Sequence, residues 1–172
     1  VLGSVVYIAA HTAAPGVAAQ NARNNLILGE PDGSMSARAA RLAGLLTASG
    51  LQCEVSDRIH QAVWIKAVGN ATFNPLSVLA HATMKAMVRD PYLGQLARAM
   101  LGEYLALGTA LGLTLPVTVE QRMQAAASAG AARTSMLQDA LQGKPLEIDA
   151  LVGALIEIAA KLNLDMPYAN MV

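Results

Sequence analysis

The rhythm of apolar and polar positions changes near residue 57. Before it, short aliphatic runs alternate with turn residues; after it, apolar residues recur every three or four positions. "VLGSVVYIAA", at residue 1, predicts a strand and reads as a chain entered in the middle of a sheet. "NLILGEPDG" predicts a second strand followed by the turn residues Pro31, Asp32 and Gly33. "SMSARAARLAGLLTASG" predicts a helix with a serine cap and a stop at Gly50, and "LQCEVSD" a brief third strand. Strand, strand, helix, strand is the tail of an α/β layer. From Asp57 on the pattern is helical. Asp57 is the expected N-cap of "RIHQAVWIKAVGNATF", a helix that Asn74-Pro75 should bend or end. "LSVLAHATMKAMV" follows as a separate segment. "DPYLGQLARAMLGEYLALGTALG" carries a cap at Asp90, proline at the first helical position and a stop at Gly112. Residues 117–129 predict another helix, "TSMLQDALQG" a short one ending at Gly143, and "EIDALVGALIEIAAKLN" a long amphipathic one.

The predicted fold class is therefore α+β. Residues 1–56 form the end of an α/β domain, and 57–172 an all-helical domain. Composition sharpens this picture. Apolar residues make up 54% of the 172, charged residues 14% and aromatics 3%. Alanine, leucine, valine and methionine must then fill the core, which favours closely packed helices. The low charge predicts that part of the surface is covered by a partner subunit or a further domain. Twelve basic residues balance twelve acidic ones, so neither nucleic acid nor a membrane surface is an expected partner. The longest uncharged run, 67–84, is broken by Asn70, Asn74, Pro75 and His81 and makes a poor membrane span. No basic segment precedes the apolar start, so no signal peptide is read there. A lone cysteine, Cys53, excludes an internal disulfide and suits a reducing compartment, the cytoplasm by default.

One stretch raises a chemical question. In "WIKAVGNATFNP", Lys66, Asn70 and Asn74 are each four apart, which places them on one helix face. Their flanks, Val63, Ala67, Phe73 and Leu76, are apolar. A lysine among apolar residues and amides has a cause for a lowered pKa and can then release a proton. The amides can donate to a carboxylate or hydroxyl without adding charge. The structural alternative is that Lys66 snorkels to water and the asparagines cap a helix kinked at Pro75. A second polar cluster, "RTSMLQDALQGKPLEID", offers Thr134 or Ser135 as cap of a helix from Met136, with Asp139 near the capping-box position and Glu147 and Asp149 opening the last helix. Capping alone accounts for each of these. His11, His60 and His81 lack metal-ligand spacing, so no metal site is expected. No G-x-G-x-x-G or P-loop occurs.

Taken together, "VWIKAVGNATFNPLSVL" and "RTSMLQDALQGKPLEIDALVGALIEIAAKLNLDMP" resemble the C-terminal part of the ketopantoate reductase (2-dehydropantoate 2-reductase) family. The pattern is a lysine, asparagines at plus four and plus eight, proline, and much later Thr-Ser-Met-Leu-Gln-Asp and Glu-Ile-Asp. "GEPDG…RAARLAGLLTASGLQCEVSDRI" resembles the stretch joining the family's two domains. The resemblance implies the last strands and a helix of a Rossmann-type domain, followed by an all-α domain like the 6-phosphogluconate dehydrogenase C-terminal domain. It implies NADPH-dependent reduction of a 2-oxo acid, ketopantoate to pantoate, in pantothenate and coenzyme A biosynthesis. Lys66 would then be the general acid that protonates the carbonyl oxygen. Asn70 and Asn74 would hold the substrate's hydroxyl and carboxylate region, and Ser135 its carboxylate. Glu147 would sit where substrate meets the nicotinamide ribose. Ala9, taken as the end of the first strand, would lie near the cofactor. The stripe becomes one wall of an active-site cleft between two domains, and a homodimer through the helical domain is a further expectation.

Two departures qualify the match. The family's dinucleotide-binding fingerprint, and an asparagine that contacts substrate and cofactor, belong upstream of residue 1. The 172-residue chain alone is therefore expected not to turn over NADPH. Ten residues after Asn74, where the family's ketopantoate enzymes often carry another asparagine, stands Met84. That leaves a related NAD(P)H-dependent reductase of another 2-oxo or imino substrate as one alternative, and a non-catalytic helical association module as another.

Overall fold

The β-branched opening run forms β1 (Gly3–Ala14), and "NLIL" is the end of a much longer β2 (Val17–Gly29). The computed structural model describes residues 1–172, apart from the side chains at 21 and 22. The two strands pair antiparallel through a turn at Pro15-Gly16, from Gly3 opposite Gly29 to Ala14 opposite Val17. The outer half of this hairpin has no apolar alternation, so its sequence pattern is silent. Backbone pairing runs through it, and its register slips at Ile8/Ala9, Ala9/Ala10 and Thr12/Ala14. β2 also pairs parallel with β3 (Gln52–Val55), and α1 (Ala37–Ala48) crosses between them. The sheet order is β1-β2-β3. Val5, Leu28, Ala39, Ala43 and Ile59 are buried here.

The turn from β2 into α1 is held by one carboxylate. Glu30 is 4% exposed and takes the Arg38 guanidinium on both oxygens, at 2.6 and 2.5 Å. It also accepts from the Ser36 hydroxyl at 2.5 Å, while Ser36 Oγ caps α1 by accepting from Ala39 N–H. The hydrogen bond from Arg38, reinforced by that from Ser36, lowers the Glu30 pKa from 4.5 to about 2. A depressed carboxyl pKa contributes stability that is complete above the unfolded value and is lost as pH falls through the folded one. Unfolding in urea should therefore become easier between about pH 4.5 and 2. Glu30→Gln should flatten that part of the profile. An unchanged profile in the variant would show that Glu30 is not the group responsible.

The chain divides into two compact units, Val1–Trp64 and Ile65–Val172, and the division falls within α2 (Ile59–Ala80). Asp57 does not cap this helix. The Arg58 carbonyl accepts its first turn from Ala62 N–H, and the Ser56 hydroxyl accepts from Arg58 N–H at 3.0 Å. Nor does Pro75 end it: α2 continues to Ala80. Pro75 has no N–H for the Ala71 carbonyl. Side-chain bonds surround the gap instead, Thr72 Oγ1 donating to Val68 O at 2.9 Å and Ser77 Oγ to Asn74 O at 2.7 Å. Burial of Val68, Ala71, Phe73 and Leu76 holds both sides of the proline in place. The helix stops at His81, in the left-handed region at φ 47°, with Ala82 N–H donating to Ser77 O at 3.1 Å.

The second unit continues with α3 (Met84–Arg89), capped by Thr83, and α4 (Pro91–Ala110), capped by Asp90 as its sequence predicts. α5 (Val119–Ser128) has a complete capping box between Thr118 and Gln121. Thr134, not Ser135, caps α6, which begins one residue earlier than expected and spans Ser135–Leu141. The last predicted helix opens as a π-helical turn over Asp149–Gly153 before α7 (Ala154–Lys161). Val152, Leu155 and Ala159 still share its buried face. The core is made of small and flexible residues, as composition requires: Ala71, Ala97, Ala126 and Ala159 with Met87, Met100, Met123 and Met136. The Glu103 carboxylate accepts from Tyr168 and Ala169 N–H at 2.9 and 2.8 Å, fixing the C-terminal turn (Ala169–Met171) to α4. Among the described residues, no helix is long and apolar enough to cross a membrane.

Candidate active site

Lys66, Asn70 and Asn74 all lie on α2 within the second unit. Ser77 continues their line, three residues beyond Asn74 on the same face. Along this line burial increases. Lys66 and Asn70 are half-buried, Asn74 is 6% exposed and Ser77 is fully buried. The stripe thus runs from an accessible cationic end to an enclosed amide and hydroxyl end. Burial lowers the Lys66 pKa below its ordinary 10.5, because removing water penalises the ammonium.

The enclosed end meets α6. Ser77 Oγ lies 2.6 Å from Thr134 Oγ1, linking residues 57 apart in the chain. Thr134 is itself 9% exposed and accepts from Leu137 N–H at 3.1 Å as the cap of α6. Ser135, the next residue, is exposed at the first turn of that helix. The stripe and Ser135 are therefore joined through a buried hydroxyl pair. Sequence reading missed Ser77 as part of the constellation, although its spacing from Asn74 gave a signal. Its partner could not be read, because nothing local pairs residue 77 with 134.

Met84 opens α3 and is half-buried. Its N–H donates to Ala132 O at 3.1 Å, and Lys85 N–H to Gly130 O at 3.0 Å. Both bonds hold the segment that leads into Thr134. Met84 thus belongs to the same neighbourhood as the α6 N-terminus. Glu147 is exposed in the segment between α6 and the π-helical turn, its carbonyl accepting from Leu151 N–H at 3.0 Å. Ala9 is not the end of its strand. It sits mid-β1 at a register shift, exposed, in the first unit, and the strand continues to Ala14. At Gly69, between Lys66 and Asn70, the Arg122 guanidinium of α5 occupies the space where a β-carbon would be.

The model of the ketopantoate reductase PanE/ApbA C-terminal domain matches residues 58–172, two thirds of the chain. The chain belongs to the ketopantoate reductase family. The 2-dehydropantoate 2-reductase of Mesorhizobium japonicum is 41% identical over all 172 residues, which cover 53% of that protein. The crystal structure of 2-dehydropantoate 2-reductase from Methylococcus capsulatus superposes with a TM-score of 0.91 at 28% identity, covering 99% of this chain and 55% of that one. A dimeric ketopantoate reductase from Staphylococcus aureus does so with a TM-score of 0.85 at 25% identity, over 99% and 58%. The chain spans about half the length of the curated relatives it matches. The α+β architecture, a few strands followed by a mostly helical domain, is the family's C-terminal architecture.

Proposed function

We propose that the protein carrying this chain reduces a 2-oxo acid, ketopantoate, to the 2-hydroxy acid with NADPH, and that residues 57–172 supply its substrate side. The observation that carries this reading is Lys66, a half-buried lysine with a lowered pKa, set on one helix face with two carboxamides. The names of the relatives, 2-dehydropantoate 2-reductase, support the same reaction.

Lys66 then serves as the general acid. As hydride reaches the carbonyl carbon, negative charge grows on the oxygen, and an ammonium aimed there stabilises it and delivers the proton. Partial burial strengthens this charge interaction, since less water screens it. Asn70 and Asn74 orient the substrate's hydroxyl and carboxylate region by neutral hydrogen bonds, and Ser135 donates to its carboxylate. Glu147 and Ala9 are assigned to the cofactor side. We assign no dinucleotide diphosphate site among the described residues. The strand-to-helix turn 30–36 carries Glu30 and Asp32, and an acidic turn does not suit a diphosphate. The dimeric relative supports a homodimer as the assembled form, and a reducing cytoplasm suits the free Cys53.

Met84 favours a second reading, a more apolar 2-oxo acid in place of ketopantoate, with the same Lys66 chemistry. Steady-state NADPH oxidation by the full-length protein, with ketopantoate beside a panel of other 2-oxo acids, separates the two. Preference for ketopantoate is the expected result. Turnover confined to apolar 2-oxo acids would move the specificity and keep the chemistry. Failure with every member would end the reductase reading and favour an association module.

A further inference from the structure

The hydroxyls of Ser77 and Thr134 form a hydrogen-bonded chain whose direction is fixed by proton count. Each hydroxyl has one hydrogen. Ser77 gives its own to the Asn74 carbonyl at 2.7 Å. Thr134 must then donate across the 2.6 Å contact to Ser77 Oγ, while accepting from Leu137 N–H at 3.1 Å. Both hydroxyl hydrogens are used, and both residues are buried. The chain begins at the backbone of α6 and ends at the backbone of Asn74.

Resting on the substrate roles given above to Asn74 and Ser135, we propose that Ser77 and Thr134 are a positioning pair. They set the α6 N-terminus, and with it Ser135, in register with the enclosed end of the α2 stripe. Neither residue touches substrate in this scheme; each acts through its neighbour. Three features favour this role over simple packing. Pro75 leaves the Ala71 carbonyl of α2 without its ladder N–H, one turn before Asn74. The Ser77 hydroxyl, within α2 itself, bonds the Asn74 carbonyl beside that break. The same hydroxyl reaches the one side chain that caps the helix bearing Ser135. The segment before Thr134 is anchored separately by Met84 and Lys85 N–H, and the hydroxyl pair ties α6 to α2 at this point.

Ser77→Ala in the full-length protein tests this. It removes the tie while leaving the Thr134 cap of α6 intact. The expected result is a rise of about tenfold in KM for the 2-oxo acid, from misplacement of substrate contacts. KM for the cofactor and kcat should stay within about twofold. Amide exchange at Leu137 should quicken about tenfold, the value of one net hydrogen bond. Thr134→Ser keeps both hydroxyl functions and should behave as the parent. An unchanged substrate KM overturns the proposal. So does a parallel fall in kcat, cofactor affinity and melting temperature, which would mark plain destabilisation. Ser77→Cys, close in volume and a poor donor, takes its place should the alanine variant not accumulate as folded protein. Lys66→Ala beside it keeps the two claims apart. If Lys66→Ala stays active, the general-acid role of Lys66 falls, while Leu137 exchange still decides whether the hydroxyl pair holds α6.

Discussion

Lys66→Ala in the full-length protein should lower kcat for 2-oxo acid reduction by about 10²- to 10⁴-fold, the range of a lost general acid and charge stabiliser. Its melting temperature should barely move. The two expectations have one cause. The lysine is half-buried among apolar neighbours and amides, and holding its ammonium there costs desolvation energy, which is why its pKa is lowered. Alanine removes that cost along with the catalytic group. Lys66→Arg should not rescue the rate. A guanidinium keeps the charge but does not release its proton at accessible pH. The same lowered pKa sets a direction for pH. The acid form of Lys66 is lost as pH rises, so the alkaline limb of kcat should fall below the ordinary lysine value of 10.5. Steady-state kinetics with a thermal melt on each variant checks the set. Retained turnover by a folded Lys66→Ala protein would remove the reductase chemistry from this residue altogether.

Gly29→Ala should be the most destabilising single methyl in the first unit, at about 3 kcal/mol or more, the upper end of overpacking costs. An added β-carbon would stand 2.5 Å from the Ser56 carbonyl oxygen and 2.6 Å from Ile59 Cβ. Neither can yield cheaply. Ser56 is tied to the strand by its own N–H, 2.7 Å from Leu28 O, and Ile59 is 2% exposed. The strand end, the β3–α2 turn and the α2 N-terminus would have to shift together. Gly69→Ala is the informative contrast. There the added carbon meets the far end of a side chain, the Arg122 guanidinium, and no backbone atom. Alanine also gains about 1 kcal/mol of helix propensity over glycine. The Gly69 variant should therefore lie within about 1 kcal/mol of the parent in urea unfolding. Equal losses at the two glycines would show that close contact to backbone and to a flexible side chain are not distinguished here.

Local signals carried much of the fold. Asp90-Pro91 and Gly112 bound α4, Ser36 caps α1 and Gly50 follows it, all as the sequence predicts. Capping and turn chemistry act within a few residues, so such signals survive without tertiary information. Pro75 shows the limit. Its local rule favours a break, yet burial on both sides and two hydroxyl back-bonds carry α2 through it. The outer β1–β2 hairpin shows another limit, since residues exposed on both faces leave no alternation to read.

The candidate site divides in the same way. Sequence by itself determined that Lys66, Asn70 and Asn74 share a helix face, because helical periodicity needs only their spacing. It also determined the family, because two long motifs recur in order. Tertiary structure alone decided that the stripe is buried toward Asn74, that Ser77 extends it, and that Ser77 meets Thr134 across 57 residues. It also decided that Ala9 lies mid-strand, within the first unit. The physical reason is that spacing fixes which side chains lie on one face of an element, whereas burial and long-range hydrogen bonds depend on what packs against that face.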